Sequence, residues 1–137
     1  MAQARVQSDA ELEEAIDAII THYPPLMNDR SHLTLQVENG VVTVSGHTRT
    51  SITRTYLVDA LKQMPGIVSL HIDNLYSDDQ IRLEVGKVIP VGVYSNVKHG
   101  VVILSGQLPT GKTIEEVIAA VEQVKGVRAV RAQLTGT

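Results

Sequence analysis

The segment NGVVTVSG, Asn39 to Gly46, returns 60 residues later as HGVVILSG, His99 to Gly106. At the same spacing LVDALKQMPGIVSL, from Leu57, returns as VIAAVEQVKGVRAV, from Val117, with Gln63 falling on Gln123 and Gly66 on Gly126. Two separated blocks in one register mark a duplication, so the chain must fold as two copies of one small unit. Ahead of these blocks the spacing widens to 69, where Ser8, Leu12, Ile16 and Ile19 fall on Ser77, Ile81, Val85 and Val88. The first copy therefore carries nine additional residues between its first helix and first strand. They lie within THYPPLMNDRSH, where paired Pro24 and Pro25 predict a helix end followed by a loop.

Each copy opens on a capping pattern, Ser8 with Glu11 and Ser77 with Gln80, followed by apolar residues at helical spacing. Leu12, Ala15, Ile16, Ile19 and Ile20 form one helix face, and Ile81, Val85, Val88 and Ile89 form its counterpart. Alternation through Leu33, Leu35 and Val37, then Asn39-Gly40, then Val42 and Val44 predicts a hairpin, because a type I′ turn needs positive φ at both central residues. His99-Gly100 repeats the turn in the second copy. A second helix follows through Leu57, Ala60, Leu61 and Met64, or through Val117, Val121 and Val124. Gly66 and Gly126 fit helix C′ positions that open a last strand. Each copy thus reads helix, strand, strand, helix, strand, an α+β class of two tandem αββαβ units spanning residues 8–75 and 77–135. The strands flanking the second helix should run parallel if they share a sheet.

With 43% apolar and 20% charged residues the chain has a globular balance, and its lack of Phe and Trp leaves Val, Ile and Leu to fill the cores. A net charge of −3 and a pI near 5.9 argue against nucleic-acid binding, which asks for a basic face and aromatic platforms. Without cysteine there is no disulfide framework or thiolate metal site. The opening MAQARVQS holds no apolar stretch of the kind a secretory leader needs. The expected compartment is the cytoplasm if Met1 is the natural start, and the periplasm or envelope if a leader has been removed.

Together GVVTVSG and GVVILSG, with MPGIVSL and VKGVRAV, resemble the BON domain, named for bacterial osmotically inducible and nodulation proteins. The resemblance covers Ser8 to Leu134 in two copies, with Gly40, Gly46, Gly66, Gly100, Gly106 and Gly126 at the motif positions. It implies a mixed three-stranded sheet with two helices on one face in each copy. It also implies a non-catalytic role in binding phospholipid or other surfaces, often associated with stress or the envelope, and no catalytic residues. Some relatives join this domain to sensing modules, so an ion or small-ligand sensor is the alternative.

Gly106 to Thr113, GQLPTGKT, matches the phosphate-loop pattern GxxxxGK[ST] between an apolar strand and a helix. The first copy reads GHTRTSIT there, so Gly106 repeats Gly46 and has a structural reason to exist. Only Ile114 to Thr137 follow, too few for the parallel sheet and strand-end Asp of such a fold, and Thr113 with Glu116 reads as a capping box. Nucleotide binding is therefore a minor alternative, and no cofactor is expected.

The histidines at 22, 32, 47, 71 and 99 have no shared helix spacing and no counterpart in the other copy, so no metal site is read. Ser45 and Ser105 recur without a recurring base, which leaves no catalytic arrangement. Arg82 and Lys87 lie on the second copy's first helix, where the first copy has Glu11, Glu13, Glu14 and Asp17. An anionic membrane surface or a protein partner would find its contact at Arg82 and Lys87. Tyr23 to Met27 is the other exposed apolar candidate, or a cover for the sheet. No oligomeric state is read from the residues.

Overall fold

The computed structural model describes residues 8–136. The segment MAQARVQ, on which most of the leader reading rests, lies outside them, as does Thr137. The chain divides between Leu75 and Tyr76 into two compact units.

In the first unit, α1 (Asp9–Thr21) starts at Ser8, whose side chain accepts from Glu11 N while the Glu11 carboxylate accepts from Ser8 N, a complete capping box. Leu12, Ile16 and Ile20 form its buried stripe. Strands β1 (Leu33–Glu38) and β2 (Val41–Thr48) pair antiparallel from Leu33 opposite Gly46 to Glu38 opposite Val41. The tight turn between them sets Asn39 and Gly40 at φ 52° and 80°. Helix α3 (Ser51–Lys62) begins on a Thr50 cap, and β3 (Ser69–His71) then runs parallel to β2. Ile16 and Ile20 of α1, Leu57 and Leu61 of α3, and Val42 and Val44 of β2 share one core, so both helices cover one face of the sheet. A short strand β4 (Leu75–Ser77) follows across the boundary between the units.

The second unit repeats the plan with α4 (Asp78–Gly86), β5 (Val93–Lys98), β6 (Val101–Gln107), α5 (Ile114–Glu122) and β7 (Ala129–Thr135). Its sheet runs β5-β6-β7, antiparallel then parallel, and Ile81, Val85, Val102, Leu104, Val117 and Val121 fill its core. The αββαβ order, the mixed sheets and the parallel last strands are as the sequence predicts.

Three local expectations are corrected. The nine additional residues do not form a plain loop: they build α2 (Pro24–Asp29) and one 3-10 turn, Arg30–His32. Proline ends a helix from inside but suits a first turn, whose amides lack partners anyway, and Pro24 and Pro25 stand there with Leu26 fully buried behind them. Ser77, buried at the end of β4, precedes α4 without a side-chain capping bond. Gly66 and Gly126 are not C′ residues. The helices are capped at Gln63 and Gln123, and 3-10 type bonds from Met64 to Leu61 and from Val124 to Val121 tighten their ends. At Gly126 the reason for glycine is contact, since a Cβ would lie 2.8 Å from Tyr76 Cγ.

Candidate functional site

The recurring glycines are occupied by the fold. A Cβ on Gly46 would fall on the carbonyl oxygen of His32, and one on Gly106 on that of Gly92, so the last residue of each GVVxxSG run lets the neighbouring strand's entry pass. Gly40 and Gly100 close the hairpins, and a carboxylate holds each turn. Asp9 accepts from Asn39 N at 2.8 Å and Gly40 N at 2.9 Å; Asp78 accepts from His99 N at 2.6 Å and Gly100 N at 3.0 Å. Two successive amides of a type I′ turn make a small anion cradle, and the first residue of each unit's first helix fills it. Asp9 and Asp78 stand at the spacing of 69 already set by the helix residues. That spacing is the signal by which the clamp is legible.

In the phosphate-loop-like segment Gly106 lies against Gly92, Leu108 is buried and donates its N–H to Thr135, and Lys112 N bonds Pro109 O. The Thr113 hydroxyl accepts from Glu116 N, which makes it the cap of α5; only that half of the expected capping box forms. Of the sequence-predicted contact residues, Arg82 is exposed in mid-α4, while Lys87 follows the helix and pairs with Glu84 at 2.8 Å. Five positions at 100° each set their directions about 140° apart, so they do not share a face. Val88, expected on the buried face, lies beyond Gly86 and is exposed.

Where the copies differ is on the sheet face away from the helices. In the second unit it carries Tyr94, Lys98, Val101, Ile103 and Arg131, with Lys98 opposite Val101 and Ile103 opposite Arg131. The same positions in the first unit are Thr34, Glu38, Val41, Thr43 and His71. Charge divides likewise: nine acids and four bases from Ser8 to Leu75, a net of −5, against six acids and seven bases from Tyr76 to Gly136, a net of +1. In the first unit Tyr23 stacks on Tyr56 with ring centroids 3.8 Å apart, and Met27 and Ile52 are exposed. The second unit has Lys112 and Glu116 where Ile52 and Tyr56 stand.

Among the described residues no group of three His, Cys, Asp or Glu is placed to hold a metal ion, and no helix is long and apolar enough to cross a membrane. Hydrogen bonds from Ser8 hold the Glu11 carboxyl below its ordinary range.

A duplicated α/β unit whose recurring residues serve its turns and strand entries, and whose surfaces differ between copies, defines a tandem α+β domain protein. The BON domain family model matches residues 8–75 and 77–137, and the chain belongs to that family. Two solved structures of CdsD, a structural protein of the Type III secretion system of Chlamydia trachomatis, share the fold. One, of its C-terminal domain, superposes with a TM-score of 0.72 at 16% identity, covering 88% of this chain. The other has the same score and identity and covers 93% of this chain. In both, the match spans 63% of the CdsD chain. No curated protein matches.

Proposed function

We propose that this protein is a non-catalytic tandem BON module that docks on an anionic surface, phospholipid before protein, through its second unit. The division of charge carries the reading: the acidic first unit is repelled by an anionic leaflet, while the second offers Arg82 on α4, Lys87 just beyond its end, and Lys98 and Arg131 on the open sheet face. Each basic residue near such a surface contributes about 1 kcal/mol, falling off within a Debye length. Tyr94, two-thirds exposed beside Ile103 and Ser105, adds an amphipathic ring suited to a headgroup boundary. The Thr113 cap and the buried Leu108 support a structural role for the GQLPTGKT segment.

Sedimentation with vesicles tests this. The full chain should pellet with phosphatidylglycerol vesicles at low salt, stay in solution with phosphatidylcholine, and lose binding when Arg82→Glu is combined with Lys87→Glu. If binding instead survives that pair and falls with Lys98→Glu and Arg131→Glu, the open sheet face is the contact. Binding to neutral vesicles would contradict both.

A further inference from the structure

We propose that β7 pairs antiparallel with β7 of a second copy, joining two second units into one continuous six-stranded sheet. The strand is the edge of its sheet and pairs with β6 along all seven residues, Ala129 to Thr135. The corresponding edge of the first unit, β3, pairs over only Ser69 to His71 before the chain turns at Asp73 and Asn74.

Two hydrogen bonds set the phase of β7. Gln107 N donates to Gly92 O, so odd-numbered residues of β6 bond toward β5, and Leu108 N donates to Thr135 O, so even-numbered residues bond toward β7. In a parallel pair alternate residues direct both backbone groups at the neighbour. Ala129, Arg131, Gln133 and Thr135 therefore bond β6, and Val130, Ala132 and Leu134 aim their N–H and C=O outward. A row of such groups recruits another strand unless proline, a bulge or inward charge blunts it. From Ala129 to Thr135 there is no proline, and the one charge, Arg131, is on the open face.

A second copy fits this edge in register. A two-fold axis at Ala132 sets Ala132 against Ala132 and Val130 against Leu134, each pair exchanging both backbone bonds. Val130 and Leu134 already pack against the second core, so their contact joins two cores across the seam. On the open face Arg131 meets Gln133 and Ala129 meets Thr135, with no like charges opposed. The units brought together carry a net charge of +1 each rather than −5, which keeps repulsion small.

Sedimentation equilibrium of the full chain with residue-resolved amide exchange tests the pairing. A dimer is expected whose formation slows exchange at Val130, Ala132 and Leu134 while Arg131 and Gln133, already bonded to β6, change little. Ala132→Pro removes an N–H that serves only the second copy and should give a folded monomer. Gln133→Glu places opposite charges across the seam twice and should tighten the dimer roughly three- to tenfold, and Gln133→Arg should loosen it by a similar factor. If Ala132→Pro fails to fold, the two exposed Gln133 variants still read the register. A chain that stays monomeric at every concentration, with those three amides exchanging freely, overturns the proposal. So does a dimer indifferent to both Gln133 substitutions, or protection of β7 that arises only with a different protein.

Discussion

At the residue scale the two aspartates at the helix starts do the least conspicuous and most specific task. Asp78 is 4% exposed and bonds both amides of the His99-Gly100 turn, so Asp78→Ala leaves two N–H groups facing a void. Hydrogen bonds to a charged group contribute about 1.5–3 kcal/mol, and urea denaturation should show a loss of that order. Asp9→Ala should cost less, because water reaches the Asn39 amide once the carboxylate is gone. Equal losses at both sites would contradict the difference in burial. Glu11 gives a pH signature of known sign. Its native carboxyl titrates below the unfolded one, so its contribution is complete above the ordinary glutamate range and fades as pH falls through the lowered native value. Glu11→Gln should remove that part of the acid dependence, measured as a flatter stability profile below neutrality. These clamps are hard to see in sequence because they join positions 30 and 21 residues apart through single side chains; only their common spacing betrays them.

At the element scale, what was legible is what periodicity and turn chemistry dictate. Alternation about Asn39-Gly40 and His99-Gly100 fixes both hairpins, and the spacing of Leu57 with Leu61, or Val117 with Val121, fixes the second helices. Helix α2 was hidden because Pro24 and Pro25 end one helix as readily as they begin another, and only the burial of Leu26 decides between them. The open sheet face was hidden differently. Its residues alternate with core residues in every strand, but their charge and size acquire meaning only when β5, β6 and β7 are laid side by side. The segment before α5 is the case where a motif is overruled by its element. Lys112 is exposed ahead of a helix capped by Thr113, so Lys112→Ala should change stability by less than about 0.5 kcal/mol. Titration with ATP and GTP should show no magnesium-dependent binding, whereas micromolar affinity abolished by that substitution would restore the phosphate-loop reading.

At the scale of the molecule, duplication keeps the fold and frees the surface. The glycines and aspartates that recur are held by strand entries and turns, so a difference in function between the copies must come from residues that do not recur. Salt separates this from nonspecific stickiness, because exposed charges interact over a screening length of about 8 Å at physiological ionic strength. The measurement that bears most directly on the account is co-sedimentation of the full chain with vesicles of graded phosphatidylglycerol content, across a salt series, with charge reversals in each unit. The account predicts binding that rises with anionic lipid, fades toward physiological salt, and is lost on reversing basic residues of the second unit but kept on reversing Arg49 and Lys62 of the first. Binding that resists salt, occurs on neutral vesicles, or is lost only with the first-unit reversals would contradict it.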